Sequence, residues 1–399
     1  MASRLMAYES TDSWSVEFVC KSYDERGVKG AEPTKRWLSL IVRFSRSKWH
    51  VRITFHGTLQ SSARVFPKRT KRRNDLQNLC LCIDFKQLRL FDNTVTELLI
   101  THSSNTNSYK LPLLRFPDAD NGYATSANFL CGSVQEDPLR VRFPLYYPRG
   151  SAPAKELSDI MKMQELEAGV YEARVDGDQA LYIYKEIERP LYVPRDSEVL
   201  EQELRNLELL RGTEGIAWLV AAVVSNNPYQ TTDGENSTTV LRGILLEHYP
   251  NGTLKSALQS PKPQMDGRWL VWGLQIAEAL ACLHKNDLTH MDLKPSNVMI
   301  NAEWNAVIID ISGIGGVTSE WLSPKLRKEP DPLSQSQEVR KQNDLWALGK
   351  ILSAMTEVST GVDKQLLESV AWAAIQVPAC ISLGDVIFRL SVTNSPHTT

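Results

Sequence analysis

The first 145 residues alternate short runs of β-branched and aromatic residues with polar turns, a pattern that is typical of strands. Apolar and polar positions partly alternate in "SKWHVRITFHG", which follows the apolar run "RWLSLIVRFS". Two further runs, "NLCLCIDFKQLRLF" and "TVTELLITHS", continue the theme. Pairing of such runs predicts a β-rich N-terminal domain of antiparallel type over residues 1–145.

A change of pattern follows this region. The stretch "FPLYYPRGSAPAKE" contains three prolines, a glycine and several small residues, and we assign a linker to residues 146–158. Helical runs mixed with strands occupy residues 159–392, including "SEVLEQELRNLELLRG", whose apolar spacing predicts an amphipathic helix. Residues 393–399 form a tail. The fold class predicted for the whole chain is therefore α+β, with two domains.

The stretch "LTHMDLKPSNVMINAEWNAVIIDISG" carries the most informative pattern. Its apolar runs "NVMI" and "AVIIDI" are separated by the turn-like "NAEWN" and predict a β-hairpin. Asp292 and Asn297 precede the first strand and Asp310 ends the second, so the three side chains can converge. Carboxylate and amide oxygens suit Mg²⁺, and phosphoryl transfer also needs a carboxylate near the accepting hydroxyl and a cation such as Lys294 near the developing charge.

Composition narrows the class of protein. A chain of 399 residues with a formal net charge of −2 offers no general electrostatic attraction to nucleic acid or to an acidic membrane. No window approaches the apolar length of a membrane span. The six cysteines form no CxxC pair, which favours reduced core thiols. We therefore predict a soluble, intracellular protein without a membrane or nucleic-acid partner.

The stretch "HMDLKPSN" resembles the H-R-D-L-K-P-x-N catalytic loop of eukaryotic-type protein kinases of the Ser/Thr type. The spacing between Asn297 and Asp310 is also the one that this family uses. The resemblance covers residues ~160–390 and implies a bilobal kinase-like domain with a β-rich N-lobe and a helical C-lobe. It further implies Asp292 as the catalytic base, Lys294 as stabiliser of the γ-phosphate, and Asn297 and Asp310 as Mg²⁺ ligands.

Upstream segments extend the resemblance to nucleotide binding. "ALYIYKEI" places Lys185 where the family has the strand lysine that contacts the ATP phosphates, and Glu203 of the following helix is its expected partner. "RGILLEHYPNGTLKSAL" resembles the segment that joins the two lobes. The resemblance implies that the backbone of Glu247, His248 and Tyr249 binds adenine there.

Two downstream features concern support of the catalytic loop. "NDLWALGKIL" resembles a conserved helix start of the family and places Asp344 where it would brace the loop. His284 and His290 are expected to support the same loop by packing and hydrogen bonding. Met291 replaces the loop arginine that pairs with a phosphate in many family members, so we expect no such phosphate switch.

Other departures affect the nucleotide and the activation segment. Met163, Glu165 and Ala168 occupy the three positions of the glycine-rich loop, which removes backbone freedom near the phosphates. The segment from Asp310 to the proline that matches A-P-E is short. Lys325 replaces the glutamate of that motif, and the arginine that normally pairs with it is also missing, which suggests a coherent variant.

Three functional classes remain open from the sequence. The first is an ATP- and Mg²⁺-dependent phosphotransferase with a protein Ser/Thr substrate. It is favoured because all the residues that transfer needs are present: Lys185, Glu203, Asp292, Lys294, Asn297 and Asp310. The second is a pseudokinase that acts as a scaffold or nucleotide-gated interaction module. The third is a kinase-fold enzyme that acts on a small metabolite.

A basic run lies in the N-terminal region, "FPKRTKRRNDL". Its members are Lys68, Arg69, Lys71, Arg72 and Arg73. The run is interpreted as a solvated β-turn, and a nuclear import signal or an anion-binding loop are the alternatives. The predicted location is therefore cytoplasmic, with a nuclear location left open.

Overall fold

The structure, a computed structural model, describes residues 14–59, 66–102, 108–148, 152–232, 238–262, 265 and 267–392. The chain forms two compact units: Met1–Arg140 with Asn226–Thr239, and Val141–Ser225 with Val240–Thr399. The domain boundaries expected from the sequence stay a prediction. The division adds that a segment from the middle of the chain, 226–239, packs with the first unit.

The first unit is built on a seven-stranded sheet with one helix. Its elements are β1 (Ser15–Phe18), β2 (Asp24–Arg26), β3 (Lys35–Phe44), β4 (Ser47–His56), α1 (Arg69–Cys80), β5 (Val95–Thr101), β6 (Tyr109–Lys110) and β7 (Cys131–Glu136). The strand order is β1-β3-β4-β5-β7-β6, and β2 pairs with β3 beside β1. Alternate residues of β3, among them Leu38, Leu40 and Val42, are fully buried in the core. This alternation is what a strand with one covered face requires.

Two local predictions for this unit are wrong. The basic run and the start of "NLCLC" form helix α1, where a turn and a strand were expected. Leu76, Leu79 and Cys80 share the buried face of α1 and join the core of the sheet. The sheet is also not wholly antiparallel, because β4 and β5 pair in parallel. A parallel pair needs a long crossover connection, and the segment that contains α1 supplies it.

Residues 226–232 of the segment 226–239 are held in the first unit by reciprocal hydrogen bonds. The backbone N–H of Asn93 donates to Oγ1 of Thr231 at 2.8 Å, and the N–H of Thr231 donates to Oδ1 of Asn93 at 3.1 Å. The N–H of Lys48 also donates to the carbonyl of Thr231 at 2.8 Å. These contacts explain why the segment belongs to this unit.

The second unit begins with a six-stranded sheet and a helix. Its elements are β8 (Ala154–Glu156), β9 (Ile160–Glu167), β10 (Val170–Val175), β11 (Tyr182–Glu186), α2 (Arg195–Leu209), β12 (Leu219–Asn226) and β13 (Thr239–Glu247). The strand order is β8-β12-β13-β11-β10-β9. Helix α2 is the predicted amphipathic helix: it buries Leu200, Leu204 and Leu207 in the core.

The remainder of the second unit is mainly helical. Its elements are α3 (Leu254–Gln259), α4 (Arg268–Lys285), β14 (Val298–Ile300), β15 (Ala306–Ile308), α5 (Gln337–Thr356), α6 (Gly361–Ala374) and α7 (Leu383–Val392). Helix α4 buries one apolar face that includes Trp272, Ile276 and Leu280. Strands β14 and β15 pair as the predicted antiparallel hairpin. The predicted α+β fold class, with a β-rich N-terminal region before a unit of sheet followed by helices, is confirmed.

Two further expectations can be compared with the structure. Among the residues described, no helix combines the length and apolar character that crossing a membrane requires. All six cysteines are free. Cys80 and Cys82 are buried as predicted for core thiols, whereas Cys20 and Cys380 are exposed, so that prediction holds for only part of the set.

Candidate active site

Lys185 lies at the centre of a three-residue charge cluster. Its Nζ donates to Oε1 of Glu203 at 2.7 Å and also contacts the carboxylate of Asp310. Lys185 is on β11, and Glu203 lies on the buried face of α2. Asp310 follows β15 by two residues. Three elements that are distant in sequence therefore bring these side chains together, and the predicted Lys185–Glu203 pair is present.

Two neighbouring acidic side chains keep Lys185 protonated. Burial alone would favour neutral Lys185, but Asp310 and Glu203 beside it raise the pKa of Lys185. Burial also works against the charge on Asp310, yet the adjacent ammonium outweighs it and holds the pKa of that carboxyl below its usual range. For Glu203, burial is the larger effect and raises the pKa despite Lys185. The side chain of Asp310 is 43% exposed and that of Glu203 is 6% exposed, so Asp310 is the more accessible of the two carboxylates.

The predicted catalytic loop forms a second cluster around Asp292. Lys294 Nζ donates to Oδ2 of Asp292 at 2.6 Å. Nδ2 of Asn297 donates to the backbone carbonyl of Asp292 at 2.9 Å. Oδ1 of Asn297 accepts a hydrogen bond from the hydroxyl of Ser296 at 3.4 Å, and its second lone pair can bind a metal ion.

A threonine that the sequence analysis did not assign to the site completes this cluster. The backbone N–H of Thr318 donates to Oδ1 of Asp292 at 2.8 Å, and Lys294 donates to Oγ1 of Thr318 at 2.8 Å. The only sequence signal for Thr318 is its position in the segment between Asp310 and Pro324. Its role depends on a contact across 26 residues, which spacing alone does not reveal.

The loop is supported from Asp344, as predicted. The carboxylate of Asp344 accepts hydrogen bonds from the N–H groups of His290 and Met291, both at 2.8 Å, and lies 3.0 Å from Nε2 of His284. His290 Nε2 faces the carbonyl of Ile309 at 2.9 Å, so this nitrogen carries the proton, and Nδ1 accepts the N–H of Asp292 at 3.2 Å. His290 therefore positions the loop through these two hydrogen bonds.

Two residues of this region adopt a positive φ that is uncommon for side chains other than glycine. Met291 has φ +66° and Asp310 has φ +61°. Met291 is buried in an apolar cluster with Leu322 and Leu326, where the family has a charged arginine. The substitution thus exchanges a phosphate-binding group for a hydrophobic contact to the segment after Asp310.

The turn after Asp310 is held by two residues that the sequence did not single out. Nδ2 of Asn206, on α2, donates to the carbonyl of Ile311 at 2.6 Å. Nη2 of Arg340, on α5, donates to the carbonyl of Gly313 at 2.8 Å. Gly313 has φ +69°, and a Cβ atom there would lie 2.5 Å from the carbonyl oxygen of Thr289. This turn therefore requires glycine at position 313 and not at 312.

A cavity of about 470 Å³ connects the two clusters. Lys185, Glu203, Asp292, Asn297 and Asp310 line it. Lys294 is not among the lining residues, but it is hydrogen-bonded to Asp292, which is. The structure thus brings together all the residues predicted for catalysis, for phosphate contact and for metal binding.

The three residues predicted to bind adenine have a different environment. The side chains of Glu247 and Tyr249 line a separate cavity of about 790 Å³. The hydroxyl of Tyr249 accepts the N–H of Trp218 at 2.9 Å, and the N–H of Glu247 donates to the carbonyl of Trp218 at 3.1 Å. His248 is half-buried. The three are not among the residues that line the cavity between the two clusters, and a role for their backbone stays a prediction.

The β9–β10 hairpin also borders the catalytic cavity, through its Ala168–Gly169 turn. Gly169 has φ +79°. Two of the expected glycine positions, Met163 and Glu165, lie within strand β9, whose pairing with β10 is irregular in this part. Oε1 of Glu165 accepts the N–H of Gly169 at 3.3 Å and the hydroxyl of Tyr171 at 3.4 Å. The backbone N–H of Gly169 beside the cavity is thus bonded to the carboxylate of Glu165.

The segment after Thr318 is anchored by a lysine on α5. Lys350 Nζ lies 4.5 Å from the ring centroid of Trp321 and 5.3 Å from that of Trp346, and it donates to the carbonyl of Glu320 at 2.6 Å. Lys325, at the position of the family's glutamate, is exposed. Cation–π contacts therefore support this segment where the family uses a buried ion pair.

Comparison with known proteins agrees with this geometry. The model of the protein kinase domain matches residues 167–377. Mitogen-activated protein kinase kinase kinase nsy-1 of Caenorhabditis elegans is 28% identical over 203 residues, which are 48% of this chain and 12% of that protein. Mitogen-activated protein kinase kinase kinase 17 of Arabidopsis thaliana is 28% identical over 134 residues, 33% of this chain and 35% of the relative.

A third relative is the serine/threonine-protein kinase SCH9 of Saccharomyces cerevisiae, 27% identical over 240 residues, 48% of this chain and 27% of the relative. The chain thus spans between 12% and 35% of the length of these three proteins. The kinase-domain model, in contrast, covers more than half of the 399 residues. On this match, the chain belongs to the protein kinase family.

Proposed function

We propose that this chain is an active protein kinase that transfers the γ-phosphoryl group of ATP to a serine or threonine hydroxyl of a protein. The observation that carries the proposal is the single cavity that joins the Lys185–Glu203 pair and Asp310 to Asp292 and its partners. Stability of the fold alone would not require so many buried or half-buried charges in one place.

The residues present fit a magnesium ion. Asp310 offers a partly exposed carboxylate, and Asn297 offers the amide oxygen that is left over when its nitrogen binds Asp292. Among the described residues, no group of three or more His, Cys, Asp and Glu side chains is placed to hold a metal. Mg²⁺ commonly takes one or two protein oxygens together with substrate phosphates and water, so two donors are sufficient.

The chain's own residues then have distinct roles. Lys185, kept in position by Glu203, would contact the nucleotide phosphates. Asp292 would orient the accepting hydroxyl and take its proton, and Lys294 would offset the negative charge that develops during transfer. When bound, Mg²⁺ would neutralise charge on the phosphates. Thr318 would fix the carboxylate of Asp292 through its backbone N–H.

Adenine binding is assigned to the backbone between Glu247 and Tyr249. The N–H of Glu247 is already used by Trp218. No hydrogen bond from the N–H of His248 or Tyr249 to another described residue is present. We therefore propose the N–H of Tyr249 as the donor to the adenine ring, in keeping with the family resemblance.

A pseudokinase is the second candidate, and the hairpin supports it. Glu165 binds the N–H of Gly169, a donor that would otherwise be free for a phosphate, and its charge would repel the nucleotide. In that case the same cavity would bind nucleotide weakly or not at all. The protein would then act by binding a partner.

Two measurements separate these candidates. Thermal unfolding with ATP and Mg²⁺, against ATP with a chelator, reports binding; ligand at 100 times its Kd stabilises by about 2.7 kcal/mol. Incorporation of labelled phosphate into a library of serine and threonine peptides reports transfer. Stabilisation with transfer supports the kinase, and weak stabilisation or none, without transfer, supports the pseudokinase. Absence of both contradicts the proposed catalytic function.

A protein acceptor and an intracellular location follow from this proposal. The relatives carry the names of protein kinases, and ATP and Mg²⁺ are abundant inside cells. We propose that the protein acts there, in the cytoplasm or the nucleus.

A further inference from the structure

The first unit contains a cavity that is lined by positive charge. It has a volume of about 630 Å³ and lies between the loop that joins β1 to β2 and one face of α1. Three cationic side chains line it, Lys21 from the loop and Arg69 and Arg73 from the helix. No carboxylate is among its lining residues.

The loop that forms one wall has a defined shape. Both β1 and β2 pair with β3. Five residues, Val19–Tyr23, lie between β1 and β2, but only two residues of β3 lie between the segments that pair with them. The hydroxyl of Ser22 accepts the N–H of Ser39 at 3.0 Å and donates to the carbonyl of Val19 at 2.8 Å. Lys21 lies at the tip with φ +57°. Hydrogen bonds of the Ser22 hydroxyl therefore hold the loop that carries Lys21.

The cations of the cavity are incompletely neutralised. Arg69 pairs with Asp24 at 3.1 Å, but both side chains are more than half exposed, so the pair contributes little. Arg73 and Lys21 have no carboxylate partner among the described residues, in contrast to buried Arg72, which pairs with Glu25. At least two full positive charges of the cavity are therefore available to an anion.

The start of α1 adds to this positive potential. Its N-cap residue, Lys68, makes no capping hydrogen bond, and the first turn contains no acidic residue. The N-terminus of a helix carries partial positive charge, so basic residues there oppose helix stability. Basic residues that lower helix stability at this position point to a functional role. A bound anion would neutralise part of the positive charge of these side chains and of the helix start.

We propose that this cavity binds a phosphorylated serine or threonine side chain on a peptide segment. Arginine and helix N–H groups match the oxygens of phosphate, and a phosphomonoester carries nearly two negative charges at neutral pH. The cavity also has an apolar wall, formed by Phe18, Val19 and Leu38, that a free phosphate ion would not use. The inference does not depend on catalysis by the second unit.

Nucleic acid fits the same features less well. A protein that follows a nucleic-acid backbone needs a stripe of cations, whereas these are gathered in one concave site on a chain whose net charge is −2. The binding of one phosphoryl group is the chemistry that the site supports. A protein with this property would act on, or be recruited by, a partner that another kinase has already phosphorylated.

The test uses the full chain without nucleotide at low salt, with a fluorescein-labelled alanine-rich peptide that carries one phosphoserine. Fluorescence anisotropy should show saturable binding, and Arg73→Glu and Lys21→Glu should each weaken it by about tenfold or more. Arg46→Glu is the matched control, because Arg46 is an exposed arginine of the same unit outside the cavity. It should leave the affinity unchanged.

Several results would overturn the inference. Absence of binding by the wild type, or equal losses in Arg73→Glu and Arg46→Glu, would show that the cavity is not the site. Equal affinity for a peptide with glutamate in place of phosphoserine would show that the cavity does not prefer phosphate. Equal affinity for inorganic phosphate would show that the peptide segment is not recognised. Tighter binding of a single-stranded oligonucleotide at the same residues would assign the site to nucleic acid. The binding assay contains no nucleotide, so its outcome does not depend on phosphoryl transfer by the second unit.

Discussion

The catalytic loop and the β9–β10 hairpin border the same cavity but have diverged from the kinase pattern to different degrees. In the loop, Asp292, Lys294 and Asn297 are present and hydrogen-bonded to one another. In the hairpin, Met163 and Glu165 of β9 stand where two glycines were expected, and Glu165 binds the N–H of Gly169. The loop works through side chains, whereas the family's hairpin works through backbone N–H groups.

This difference indicates that the apparatus for transfer and the contact to the phosphates can vary independently. If the proposed function holds, the loss of a side chain such as Asp292 would remove catalysis. A hairpin with fewer free N–H groups would lower nucleotide affinity but leave transfer possible at sufficient nucleotide. We expect an enzyme with an intact rate of chemistry and a weakened affinity for ATP.

The largest expected effect is that of Asp292→Asn, which removes the proposed base. Transfer should fall by about 10²-fold or more, with nucleotide-induced stabilisation retained. Phosphate incorporation and thermal unfolding measure the two quantities. Asp287→Asn is the matched control, because its carboxylate is exposed. Equal transfer by Asp292→Asn and wild type would contradict the assignment.

Asp310→Asn tests the proposed metal site. The variant should lose the Mg²⁺-dependent part of the stabilisation by ATP, about 2.7 kcal/mol at saturating nucleotide. Lys185 retains Glu203 as a partner, so the unliganded protein should still fold. Titration with Mg²⁺ at fixed ATP, followed by thermal unfolding, makes the comparison. A stabilisation equal to that of the wild type would place the metal elsewhere.

The hairpin side of the comparison is tested at Glu165. Glu165→Ser removes the charge and frees the N–H of Gly169, whereas Glu165→Gln removes only the charge. We expect nucleotide affinity to rise by about three- to tenfold in the serine variant and by less in the glutamine variant, since each unmade hydrogen bond is worth about 0.5–1.5 kcal/mol. Glu167→Gln serves as a control for charge at the cavity wall. An unchanged Kd in Glu165→Ser would show that the hairpin does not limit binding.

The smallest effect is expected at Lys350, which anchors the segment beside the catalytic loop. Lys350→Met should slow transfer by about two- to fivefold, the equivalent of one exposed cation–π contact. Transfer at saturating ATP should fall while the Kd for ATP is unchanged. A change in ATP affinity instead would mean that Lys350 acts on the nucleotide side of the cavity.

Lys350 also gives a dependence on pH. Burial lowers the pKa of Lys350, and Arg327 adds to this. Between that lowered value and about 10.5, the value in the unfolded chain, the unfolded state binds more protons. The free energy of unfolding should therefore contain a contribution that rises with pH in this window. Unfolding measured across the window should show that Lys350→Met lacks the contribution.

Part of the fold could be predicted from local pattern, and part could not. The amphipathic spacing of α2 and the two apolar runs of β14 and β15 identified these elements correctly. Helix α1 was missed because its basic residues were interpreted as a solvated turn. The helix nevertheless has a buried face formed by Leu76, Leu79 and Cys80. The parallel pairing of β4 with β5 was missed because strand direction depends on the crossover and not on the strands themselves.

The sequence by itself determined which side chains carry the proposed chemistry, because Asp292, Lys294, Asn297 and Asp310 lie within one short hairpin and loop where spacing nearly fixes geometry. Only the tertiary structure decided which distant residues support them. Thr318 meets Asp292 across 26 residues, and Asn206 meets Ile311 across 105. Contacts at such separations depend on how whole elements pack, and no local pattern encodes that packing.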